Sequence, residues 1–99
     1  MINLIKQLDI KLNSIISRNT DIDDTDLDGE KVMMNLDKGQ YFMMNEVGSR
    51  IWDIVDEPKS VEEIVKSLLN EYEVEREQCE NTVVEFLSEL AKSDLIKVK

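Results

Sequence analysis

Between Met44 and Val47 the apolar period of this chain changes from two to nearly four, and that switch dictates what can fold. Upstream, Val32, Met34 and Leu36 alternate with Met33 and Asn35, the pattern of a half-buried strand. Downstream, Val47, Ile51, Ile54 and Val55 form one stripe of a helix, with Asn45 as its N-cap and Glu46 in its first turn. Strands come first and helices follow, so the class is α+β with the two kinds of element segregated.

Two turn signals punctuate the strand half. The stretch DTDLDGEKVMMN, residues 24–35, opens like an EF-hand calcium loop, with Asp24, Asp26, Asp28 and Gly29 in the right places. Its second half departs from that chemistry. Position 12, which needs a bidentate Glu, is Asn35, and Lys31 sets a positive charge at position 8. No helical period flanks the loop, so Asp28-Gly29 reads instead as a two-residue hairpin turn, and no metal site is expected. Further on, Asp37-Lys38-Gly39 suits a three-residue loop with Gly in the left-handed position. That loop sets Met34 across from Phe42 and Val32 across from Met44, on the core face. Tyr41 and Met43 then share the other face with Met33.

The helical half is plainer. Gly48 inside the first helix costs up to ~1 kcal/mol against Ala, which suggests close approach of another backbone. Trp52 reads as core or groove wall. Ser60-Val61-Glu62-Glu63 is a capping box, and Val61, Ile64, Val65, Leu68, Leu69 and Tyr72 follow on one face. A third helix spans residues 75–92, with Cys79, Val83, Phe86, Leu87 and Leu90 as its core stripe and Val84 to one side. Residues 95–98 alternate enough for a short terminal strand. Ile2, Ile5, Leu8 and Leu12 recur at helical spacing, so residues 1–20 are expected to be a short helix or an arm, and residues 21–99 the domain. The whole is a three-stranded antiparallel sheet followed by three helices, an arrangement of winged helix-turn-helix type.

Composition removes most kinds of function. The chain has no His, the commonest general base, and its one Cys sits at an apolar helical position, so neither catalysis nor a cofactor is expected. A net charge of −10 opposes nucleic acid, and residues 71–89 hold seven Glu against one Arg where a recognition helix would need cations. No apolar run approaches a membrane span and no signal peptide is evident, so a cytoplasmic location is expected.

The segment DLDGEKVMMNLDKGQYFMMNEVGSRIWDIVDEPKSVEEIV, with FLSELAKSDLI after it, resembles the pyrroloquinoline-quinone biosynthesis protein D family, whose relatives are peptide-modification chaperones, or RiPP recognition elements. The resemblance runs over residues 22–98 and is most specific in G-x-Y-F-x-M-N-x-x-G-x-x-I-W, from Gly39 to Trp52. It implies a domain that binds the leader segment of a ribosomally made precursor peptide and presents it to a leader peptidase, cyclase or radical enzyme. It further implies that the leader adds as a strand beside residues 40–44 in a cleft walled by the third helix. Carried over, the strand is Gln40, Tyr41, Phe42, Met43 and Met44 and the wall is the helix at 75–92. On that helix the acids Glu77, Glu80 and Glu85, with Asn81, Val84 and Leu87, are expected to meet the peptide. A free-standing domain of this size looks most like the split recognition subunit of lasso-peptide biosynthesis. Two departures stand out: Asp94 replaces a Gly before the final Leu-Ile, and Glu57 replaces one before Pro58. Asp tolerates the left-handed conformation the first position requires.

The residues support this independently. The strand at 40–44 closes the meander and runs straight into a helix, leaving one edge unpaired, and it carries no Pro, Lys or charge to protect that edge. Such an edge suits β-strand addition, and its Met side chains suit a variable peptide. The alternatives from other classes are an acidic adaptor or homodimerising subunit of an enzyme complex and, against the charge, a DNA-binding regulator.

Overall fold

The computed structural model describes residues 10–99. In chain order they form β1 (Ile15–Arg18), β2 (Ile22–Leu27), β3 (Glu30–Asn35), β4 (Gln40–Met43), α1 (Glu46–Ile54), β5 (Lys59–Ser60), α2 (Val61–Glu71), α3 (Arg76–Lys92) and β6 (Ile96–Val98). The expected meander is present as β2-β3-β4, all antiparallel, and the helices follow it. A second sheet, ordered β5-β1-β6, goes beyond the sequence reading, which had only its C-terminal strand. Its middle strand comes from the N-terminal segment, and Ile16 at its centre is fully buried. Residues 15–18 are thus part of the folded domain, not an arm or helix. Leu12 lies exposed in a turn, while Ile2, Ile5 and Leu8 fall outside the described residues. Among those residues no helix is long and apolar enough to cross a membrane.

Local chemistry explains the element ends. Asp28 and Gly29 have φ of 53° and 87°, both positive as a type I′ hairpin turn requires, and Leu27 pairs with Glu30 across it. Asn45 Oδ1 accepts the Gly48 N–H at 2.8 Å and starts α1. Ser60 and Glu63 make the full capping box of α2, and the bond from the Ser60 N–H holds the Glu63 carboxyl below its usual range. Asp94, at φ 59°, takes the left-handed position after α3.

The β3–β4 register corrects the sequence reading. Met33 faces Phe42, Met34 faces Tyr41 and Val32 faces Met43, one residue out of the expected phase. The loop therefore has four residues, 36–39, not three. Asn35 decides this: its buried side chain accepts the Lys38 N–H at 3.2 Å, while Gly39 N–H returns to the Leu36 carbonyl at 3.3 Å. Turning Asn35 inward turns Met33 inward with it, and Met33 is fully buried. Leu36, expected in the core, is 69% exposed.

One cluster ties the two sheets to α1. The Trp52 side chain is 1% exposed; its Nε1–H donates to Asp24 Oδ2 at 2.7 Å. The Arg18 guanidinium lies 4.6 Å from the ring centroid and donates twice to the Trp52 carbonyl. Asp26 is taken by Lys31 Nζ at 2.9 Å, which also approaches Asp53. Two acids of the calcium-like stretch are thus engaged in holding the meander to the helices. Asp24→Ala is expected to leave the indole N–H unpaired and to lower unfolding free energy by about 1–3 kcal/mol in chemical denaturation. An unchanged midpoint would mean that this bond contributes nothing to holding β2 in place.

Candidate functional site

The edge of β4 is open. Its inner side pairs with β3, and among the described residues no strand lies beyond it. Met44 N–H donates to the Lys31 carbonyl at 2.8 Å, which marks that pair as a hydrogen-bonded position. Such positions recur at every second residue of an antiparallel ladder, so Phe42 and Gln40 also aim their main-chain groups at β3. The N–H and C=O of Tyr41 and Met43 therefore point outward. Their side chains are 72% and 60% exposed, on the face away from the core. Phe42 is half-buried, Met44 buried and Gln40 exposed.

The α3 residues expected to face this edge lie on one side of the helix but differ in burial and partners. Leu87 is fully buried in the core, and Val84 is half-buried against it. Val84 lies about 160° around the helix from Phe86, two residues on, so the two flank opposite sides of α3. Glu80 accepts from Arg76 Nε at 2.6 Å, and Arg76 also binds Glu62 of α2. Glu77, Asn81 and Glu85 lie on a common depression, shared with Gln78 and Thr82.

Phe86 shows which flank of α3 meets the first turn of α1. Its ring covers Gly48 in the first turn of α1, directly after β4; a Cβ at Gly48 would lie 2.7 Å from the ring. The neighbour that Gly48 admits is a side chain, not the expected backbone. Thr82, Glu85 and Glu89 share the Phe86 surface. Of these four, the sequence reading set Glu85 beside the peptide and Phe86 in the core stripe, and it singled out neither Thr82 nor Glu89. The contact with Gly48 places Phe86 at the margin of the core. Beside them Val47, Leu68, Tyr72, Val74, Cys79 and Val83 line an apolar cavity of about 270 Å³, which Thr82 also borders. Cys79 is buried in that wall, and burial pushes its thiol up, the reverse of what activates a cysteine.

Charge is uneven around α3. Acids on the α2 side are neutralised, Glu62 and Glu80 by Arg76 and Glu71 by Arg50. Glu73, Glu75, Glu77 and Glu85 have no ion pair among the described residues. The chemistry on offer is an open strand edge, an aromatic ring, an apolar cavity and unpaired negative charge.

That combination fits a peptide, and the comparisons bear on its source. The family model for coenzyme PQQ synthesis protein D (PqqD) matches residues 30–96. This chain belongs to the PqqD family. A solved structure described as TbiB1 in complex with the TbiA(beta) leader peptide is 36% identical to the chain. The two agree with a TM-score of 0.77, covering 82% of this chain and 94% of that one. A lasso peptide synthetase B1 complexed with the leader peptide has the same fold at 21% identity, with a TM-score of 0.75 and coverage of 83% and 96%. No curated protein matches the chain. The PqqD-family match includes both β4 and the Phe86 flank of α3.

Proposed function

We propose that this PqqD-family chain binds the leader segment of a precursor peptide as a fourth strand on β4 and delivers it to a modifying enzyme. The outward main-chain groups of Tyr41 and Met43 carry the reading, since they offer a peptide hydrogen bonds independent of its sequence. The 36% identity to TbiB1, solved with a leader peptide, supports it and favours lasso-peptide biosynthesis as the setting. The leader runs antiparallel to β4 and rests on Thr82, Glu85, Phe86 and Glu89. An apolar leader side chain can enter the cavity behind Val47 and Thr82. The chain recognises and does not catalyse; the leader peptidase or another partner supplies the chemistry.

Titrating a labelled synthetic copy of the cognate precursor's leader should give saturable binding with one leader per chain. No binding at tens of micromolar overturns the proposal. The unpaired acids add a kinetic expectation. Exposed charges steer encounter more than they deepen affinity, so a basic leader should associate more slowly as salt rises. A stopped-flow rate indifferent to salt would make Glu77 and Glu85 a solvated face only.

A further inference from the structure

The first turn of α1 touches both sides of the proposed groove. On one side, Phe86 lies over Gly48 so closely that a Cβ there would sit 2.7 Å from Cζ and 2.9 Å from Cε1. On the other, Ser49, only 6% exposed, is inserted into the end of the β3–β4 ladder. A hydrogen-bonded pair of an antiparallel ladder exchanges two bonds. At Lys31 and Met44 only one is direct, from Met44 N–H to the Lys31 carbonyl at 2.8 Å. The other passes through Ser49: Lys31 N–H donates to Oγ at 2.8 Å, and the hydroxyl donates to the Met44 carbonyl at 3.3 Å. The hydroxyl thus holds the end of β4 apart from β3 and fastens it to the helix on which Phe86 is seated.

We propose that Gly48 and Ser49 are positioning residues that set the spacing between the β4 edge and α3, and hence the width of the leader groove. The inference rests on the leader-binding reading above. A leader strand must lie ~4.8 Å from β4 to form its bonds and must meet Phe86 from that position. Both requirements pass through two adjacent residues. Gly48→Ala separates positioning from folding. Ala is the better helix former, and the two closest atoms are the far end of the Phe86 ring, with the capping Asn45 Oδ1 next at 3.2 Å. The fold survives, while the displaced ring alters the groove.

The test is leader affinity, by anisotropy of the labelled synthetic leader, with thermal unfolding measured in parallel. Gly48→Ala should hold or raise the unfolding midpoint yet weaken leader binding about tenfold, a loss of ~1.4 kcal/mol. In a Phe86→Leu background, with no ring end to displace, the same substitution should cost less than about twofold. Ser49→Ala should weaken binding to a similar degree and speed amide exchange at Lys31, whose bond it removes. An equal Gly48→Ala penalty in both backgrounds overturns the proposal, as does a folding defect that Phe86→Leu fails to repair. Ser49→Ala binding like the wild type also overturns it. If the wild-type chain itself fails to bind, the functional reading falls instead.

Discussion

Met43→Pro should weaken leader binding about hundredfold while leaving the meander intact. The register puts the Met43 N–H on the outer side of β4, so proline there removes no bond to β3. It does remove a main-chain donor from the leader, strands a leader carbonyl and sets a ring where the incoming strand must approach. One lost bond with its unpaired partner, plus the steric term, comes to ~3 kcal/mol, or about hundredfold in affinity. Met43→Ala keeps the amide and should bind far better than the proline variant. Phe42→Pro makes the opposite control: its N–H faces Met33, so this variant should lose stability as well as binding. If Met43→Pro and Met43→Ala bind alike, the leader does not pair with this edge.

The second large effect is on the fold. Trp52→Ala should cost about 3–5 kcal/mol and lower the thermal midpoint by ~15 °C or more. The indole fills the centre of the core, anchors Asp24 of β2 and lies under the Arg18 guanidinium of β1. Its removal leaves a cavity and frees Asp24 of β2 and the stacked face of Arg18, although Arg18 keeps its bonds to the main-chain carbonyl of residue 52. Calorimetry decides the matter. A fall of only a few degrees would mean that the sheets are held to the helices by other contacts.

Most of the helical half was legible because its signals are local. Asn45, Ser60 with Glu63, and Asp94 each act within a turn, and each takes the conformation its side chain favours. The Asp28-Gly29 turn was legible for the same reason. The register of β3 on β4 was not, because the period of two selects the fully apolar phase Val32, Met34 and Leu36, whereas the fold turns Met33 and Asn35 inward. The Asn35 side chain makes the choice by closing the loop, a contact that hydrophobic pattern does not report. β1 was missed because its pairing is non-local: it joins β5 and β6 from the far end of the chain. On α3 the apolar stripe placed Phe86 with the core, against which it does pack, and set Val84 to one side. Neither stripe nor charge shows that the Phe86 ring lies over Gly48.

The central claim is that the leader lies between the β4 edge and the Phe86 flank of α3, and backbone amide-shift mapping tests it most directly. On titration with the cognate leader, the largest shifts should fall at Tyr41 and Met43, at Gly48, and at Thr82, Glu85 and Phe86. The Tyr41 and Met43 amides should also become protected from exchange as they enter the new ladder. Shifts confined to the Asp28-Gly29 turn or to the β5-β1-β6 sheet, with Tyr41 and Met43 still exchanging freely, would contradict the account.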